Sequence, residues 1–394
     1  MSITTIYCPR PIRRQHAYAP RDHARRDRAV ELFESGQYPA AVDETLAYLL
    51  PGVALGDISR EPLCLVQGTA RVRVHIDNGA IVISTVLAAL TPDSNATAAL
   101  RYFLTRLSAT GQLFQPRLRD DVVTLEFTDH LTLLHPLKLL EILQRLSTEA
   151  SNHDTWLVDG FGVESSDRET IAPLEAGDFD RAHEMWDTHW AAADEMITES
   201  RRRRSVPLLN SIGSYAVNQP EYTLPLHGSL RAQLSEAADV FTDRDENPNK
   251  REAALAKCIK DMRQTSREDL ARCLGHARYA ISPQQDGTPS LLSSVLGGAQ
   301  RQQTIGDLNA SGRTLESSMH QLTDYLYLLA HFAWSTPIAA ALREALDAIS
   351  GKPLRETAET LWSHSNATLR TYGGSDDESR DDGAEGQAPT AYNA

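Results

Sequence analysis

The chain has 394 residues, 53 acidic and 39 basic side chains and a formal net charge of −14. That length suggests two or three domains, and the acidity argues against a general nucleic-acid binder, which needs a basic surface. No stretch approaches about 18 uninterrupted apolar residues, so no membrane span is expected.

The N-terminus, MSITTIYCPRPIRRQ, lacks an apolar core and a small-residue cleavage site, so a cytoplasmic chain with reduced thiols is expected. Cys8, Cys64, Cys258 and Cys273 form no CxxC pair and match no zinc spacing. Residues 1–25 are rich in Pro and Arg without apolar periodicity and read as a flexible basic arm. Residues 26–50 read as two short helices around Gly36, the second carrying Val42, Leu46, Leu49 and Leu50 at helical spacing. Its phrase FESGQYPAAVDETLAYL looks like half of a tetratricopeptide repeat, but no second copy follows.

The period then changes. Val72, Val74 and Ile76 alternate with Arg71, Arg73 and His75, which predicts a strand with one buried and one polar face. Asp77-Asn78-Gly79 is a hairpin turn, because Asn-Gly accepts the positive φ angles of a type I′ turn. Ala80–Leu87 is the return strand and Leu63–Val66 an earlier one, with Cys64 expected in its core. Asp93, Ser94 or Asn95 caps a helix with Leu100, Phe103, Leu104 and Leu107 on its apolar side. Pro116–Leu118 and Val122–Phe127 form a second hairpin around Asp120-Asp121. A helix from about Pro136 carries Leu139, Leu140, Leu143 and Leu146.

From 151 onward no strand ladder is legible. Helices are expected near 178–200, 228–241, 249–263, 266–280, 312–334, 336–350 and 353–370. Loops are expected around Pro207 and Pro220, and residues 282–311, rich in Ser, Gly and Gln, read as a long irregular connection. The last 22 residues, 373–394, read as a disordered acidic tail. The fold class is therefore α+β: an antiparallel-sheet domain over 26–160, an acidic helical connector over 161–205, and an all-α domain over 206–372. Most of the net negative charge sits in one fifty-residue block that overlaps this connector. Residues 151–200 carry 13 acidic and two basic side chains, and Arg201–Arg204 follow directly.

Three stretches carry a family likeness: AVELFESGQYPAAVDETLAYL, ALRYFLTRLSATGQLFQPRLRDDVVTLEF and LTLLHPLKLLEILQRLSTEASNHDTWL. Together with the α-βββ-α-ββ-α order, they make the N-terminal third resemble the type III secretion chaperone fold and the YbjN-like proteins. The resemblance implies a domain that dimerises and binds polypeptide on its surface without nucleotide hydrolysis. The expected partner is a protein client or a second copy, with no nucleic acid. A stress-response regulator or scaffold is the alternative that the YbjN-like likeness allows.

No catalytic, cofactor-binding or metal-ligating set is assigned, and a non-enzymatic adaptor is expected. Neither Gx4GK[ST] nor a GxGxxG after a strand is present. The rival reading is a metal-dependent hydrolase built on the His-rich 130–190 segment, with His130, His135, His153-Asp154 and Asp159 as letters of a phosphohydrolase. His183 and His189 lie six residues apart, about 240° around a helix, so only His183 and Asp187 share a side. Trp186 and Trp190 stand at i and i+4 and are expected to anchor this helix on the preceding domain or on a partner. Partner contacts are placed at Arg71, Arg73, Val86, Trp186 and Trp190, with strand addition or groove filling around 71–87 and 122–127.

Overall fold

The period-two alternation of 63–89 and 115–130 becomes one five-stranded antiparallel sheet in the computed structural model, which describes residues 3–14, 21–53, 55–107, 113–152, 157, 160–243 and 245–374. Two helices, α1 (His23–Glu34) and α2 (Tyr38–Leu49), precede it. Then come β1 (Leu63–Gln67), β2 (Ala70–Asp77), β3 (Ala80–Ala89), α3 (Ala96–Leu107), β4 (Gln115–Arg119), β5 (Val122–His130) and α4 (Pro136–Asn152). The spatial order is β1-β2-β3-β5-β4, so β1 and β4 are the edges. Both tight turns have two consecutive positive φ angles, at Asn78-Gly79 and at Asp120-Asp121, as type I′ hairpins require. Asn95 caps α3 by accepting the Ala98 amide.

One side of the sheet is dry. Leu65, Val72, Val74, Ile81, Ile83, Val123 and Leu125 join Leu46, Phe103, Leu139, Ile142 and Leu146 in one core. The helices α2, α3 and α4 thus cover that side alone. The ladder between β3 and β5 shifts register between Val86 and Ala88. Such a bulge leaves a backbone group without its ladder partner. Arg168 supplies one: its guanidinium donates to the Leu87 carbonyl at 3.1 Å and to the Ala150 carbonyl, at the end of α4, at 2.9 Å.

The remaining chain is largely helical, with short strands pairing Ala172–Pro173 with Gly275–His276 and Gln285–Asp286 with Phe332–Ala333: α5 (Ala176–Arg203), α6 (Val206–Thr223), α7 (Gly228–Phe241), α8 (Pro248–Arg263), α9 (Arg267–Arg272), α10 (Pro289–Gly297), α11 (Ala299–Ala310), α12 (Thr314–His331), α13 (Thr336–Ile349) and α14 (Leu354–Tyr372). They share a second core around Trp186, Trp190, Tyr215, Leu322, Tyr325 and Leu342. The architecture is α+β, a mixed sheet part followed by a largely helical one.

Four expectations need correction. The region around Pro207 and Pro220 is helix α6: Pro207 sits in its first turn, where no amide is needed, and Pro220 lies inside the helix, held there by the burial of Tyr215, Ala216 and Tyr222. The connection 282–311 contains α10 and α11. The helix expected over 266–280 stops at Arg272, and the chain continues extended. The arm is packed over residues 3–14: Ile6 and Ile12 are buried in the helical core. Ile12 and Arg13 donate to the Thr223 carbonyl, and Leu354 donates to the Thr4 carbonyl. In chain order the sheet domain therefore lies between a strap, residues 3–14, and the helices with which that strap shares one core.

Residues 161–205 do not form a separate connector. Asp167 and Glu169 lie against the sheet, while α5 belongs to the helical core. Most of the tail, 375–394, lies outside the described residues.

Candidate partner-binding face

An antiparallel sheet with helices on one side leaves its other side to solvent. The strand registers lay out that side in rows. Cys64, Arg73, Ser84, Glu126 and Gln115 form one row across all five strands. Val86, Thr124 and Arg117 form a second, and His75, Val82 and Thr128 a third. Val66 stands opposite Arg71 on the neighbouring pair. Leu65 points to the core, so its neighbours Cys64 and Val66 point outward, and Cys64 is exposed rather than in the core as expected.

Arg71, Arg73 and Val86 thus share one face. Val66, Val82 and Val86 are half-buried on it, giving apolar ground between charged groups. The two arginines are engaged within the chain. Arg71 pairs with Glu169 at 3.1 Å and Asp167 at 3.4 Å, and Arg73 meets Asp167 at 2.6 Å. Glu126 holds Arg117 and Arg119 at 3.6 and 3.4 Å. The charges on this face are therefore paired, and Arg73 and Glu126 stand in the row between Val82 and Val86.

Trp186 and Trp190 are elsewhere. They are 2% and 0% exposed, their rings meet edge to face at 5.4 Å, and Trp186 donates to the Met262 carbonyl at 3.0 Å. They anchor α5 inside the helical core, so no partner reaches them in the folded chain. The spacing i, i+4 correctly placed them side by side, but it does not distinguish an inner side from an outer one.

Neither edge of the sheet is an open template. Along β1 the chain's own residues 278–281 run antiparallel. Gly68 donates to the Arg278 carbonyl and Ala280 to the Val66 carbonyl, both at 2.8 Å. The β4 edge is short, contains Pro116, and presents Arg117 and Arg119, all devices that blunt edge pairing. Strand addition over 71–87 is excluded because β2 and β3 are interior strands.

The histidines of the 130–190 segment have separate surroundings. His130 meets the Thr132 hydroxyl at 2.9 Å, His135 stacks edge-on against Phe33, and His183 pairs with Asp187 at 3.4 Å. His189 is enclosed between Trp190 and Tyr215, and burial pushes its pKa down to about 3. Among the described residues no three His, Cys, Asp or Glu side chains gather in a metal-holding group. His153, Asp154 and Asp159 lie outside the described residues.

A cleft of about 380 Å³ lies between the strap and α5, lined by Tyr7, Cys8, Ala192, Glu195 and Met196 among others. Burial pushes the Cys8 thiol up to about 12, which keeps it protonated and a poor nucleophile. Arg201, Arg202 and Arg203 end α5 in ion pairs. Arg202 and Arg203 hold Glu199, Arg203 reaches Glu316, and Arg201 reaches Glu252. Among the described residues no helix is long and apolar enough to cross a membrane.

The chain matches no protein-family model, and no curated protein matches it.

Proposed function

We propose that this chain is a non-enzymatic, cytoplasmic adaptor that binds a polypeptide partner on the open face of its chaperone-like sheet domain. One observation carries the reading. The sheet is covered by helices on one side only, and the other side sets Val66, Val82 and Val86 among Arg71, Arg73 and Glu126. Half-buried valines interleaved with paired charges suit protein contact better than small-molecule chemistry, which needs a concave site with convergent polar groups. The likeness to type III secretion chaperones and YbjN-like proteins points the same way.

Cys64 provides the test, because it is exposed on this face. A photo-crosslinker attached there in the full-length chain is expected to capture a defined partner from the native cell. Val86→Arg and Val82→Arg are expected to abolish that adduct. Unchanged adducts in both variants would remove the open face from consideration.

A further inference from the structure

Ile281 comes from the helical half of the chain, yet it is 2% exposed within the sheet domain's core. Among the described residues beyond Val163, no other fully buried side chain belongs to that core. Its segment is seated like a bound peptide. Two main-chain hydrogen bonds flank the bridge between Gln67 and Tyr279. The Gln67 carboxamide then donates to the Ile281 carbonyl at 2.9 Å and accepts its amide at 3.1 Å. Arg278 lies 3.5 Å from Glu169.

We propose that the β1 edge, with the recess that holds Ile281, is an acceptor site for an extended polypeptide, and that Arg278–Ile281 is a resident strand closing it in cis. The inference rests on the polypeptide-binding reading above but concerns a second surface. Main-chain bonds with one pocketed side chain are the way a sheet edge recognises a peptide: the bonds hold it and the pocket selects it.

The cover is thin. Arg278 is exposed, Tyr279 and Ala280 are half-buried, and Ile281 alone is buried. The ends of the linker are fixed by close packing. A Cβ at Gly275 would lie 2.5 Å from Ile171, and one at Gly287 would lie 2.5 Å from Trp334. The stretch from Cys273 to Thr288 is extended, with two-residue strands at Gly275–His276 and Gln285–Asp286 that pair with Ala172–Pro173 and Phe332–Ala333. Its release would withdraw Ile281 from the sheet domain's core while the anchors at Gly275 and Gly287 stay in place.

The fitting occupant is a segment of another polypeptide with the order basic, aromatic, small, β-branched aliphatic, as in Arg278-Tyr279-Ala280-Ile281. Glu169 takes the basic residue, the β1 backbone takes the main chain, and the recess takes the aliphatic side chain.

The probe is a fluorescent peptide of residues 275–286, GHARYAISPQQD, titrated into full-length protein. Ala280→Pro removes the amide that the Val66 carbonyl accepts and opens the edge. The peptide is expected to bind this variant at least about tenfold more tightly than wild type, and a peptide carrying Ile281→Asp is expected not to bind. Absence of saturable binding to the folded variant, or equal binding of both peptides, would overturn the proposal.

Amide exchange in the wild-type protein covers the case in which Ala280→Pro does not fold. Gly68 and Ala280 are expected to exchange at least about a hundredfold faster than Val72 and Val74 in the central strand. Equal protection would show a permanent joint and sink the idea. Val86→Arg leaves the edge intact, so peptide binding to Ala280→Pro/Val86→Arg separates failure of the edge from failure of the open face.

Discussion

The side chain of Gln67 acts as a piece of backbone for Ile281. Its amide and carbonyl exchange two hydrogen bonds with the Ile281 main chain at 2.9 and 3.1 Å, extending the edge of the sheet by one pairing. Gln67 is 3% exposed, so neither partner has water as a substitute.

Replacing Gln67 with Leu preserves bulk and leaves the Ile281 amide and carbonyl unpaired. The expected cost is about 1–3 kcal/mol, read from urea unfolding at constant m-value. A change within experimental error would mean that the linker already exchanges these bonds for water.

Ile12 is buried against the helical core while the neighbouring backbone donates twice to Thr223. Ile12→Ala is therefore expected to destabilise the protein by about 2 kcal/mol, the lower end for a buried aliphatic truncation. Trp186 and Trp190 sit in the same core, so tryptophan fluorescence during guanidinium unfolding reports the loss. An unchanged midpoint would return the strap to the status of a loose arm.

Burial pushes His189 down to about 3 and His331 down to about 4. Both values lie below the roughly 6.5 of a free imidazole, so below that pH the unfolded chain binds more protons than the folded one. Their contribution to stability is complete above about pH 6.5 and is lost as pH falls through about 4 and then 3. His189→Phe is expected to lower the slope of stability against pH by close to one proton between pH about 6 and 4. An identical slope in the variant would contradict a neutral, buried His189.

The Glu199 carboxylate accepts from Arg202 at 2.7 and 2.5 Å and from Arg203 at 2.6 Å. These hydrogen bonds hold its pKa down to about 2. Its contribution is present above about pH 4.5, the ordinary glutamate range, and disappears as pH falls to about 2. Glu199→Gln is expected to cost about 1–3 kcal/mol at pH 7, with the difference from wild type shrinking below pH 3. Denaturant unfolding at the two pH values checks it; a difference independent of pH would point to packing instead.

Much of the sheet domain was legible because its signals are local. Alternation at Arg71–Ile76, the Asn78-Gly79 turn and the Asp120-Asp121 turn specify strands and hairpins from neighbouring residues alone. The same alternation assigned Arg71 and Arg73 to one face, and the strand register places Val86 there too. Helix α6 was hidden because two prolines imitate loop punctuation: Pro207 in the first turn costs little, whereas Pro220 inside the helix removes one hydrogen bond, offset by the burial of Tyr215, Ala216 and Tyr222 around it.

The sequence by its own periodicity established an α+β chain, its hairpins and most of its helices. It also showed that Trp186 and Trp190 are neighbours. Tertiary packing decided that those indoles are interior, that Ile6 and Ile12 return the N-terminus to the helical core, and that Arg278–Ile281 leaves a helical pattern to cover β1. The reason is physical. Period and turn chemistry act over a few residues, whereas an edge strand's unpaired amides and carbonyls recruit whichever segment the fold brings beside them. The net charge of −14 resolved the same way. Part of its densest block faces Arg71, Arg73 and Arg278 across the joint between the two halves, at Asp167 and Glu169.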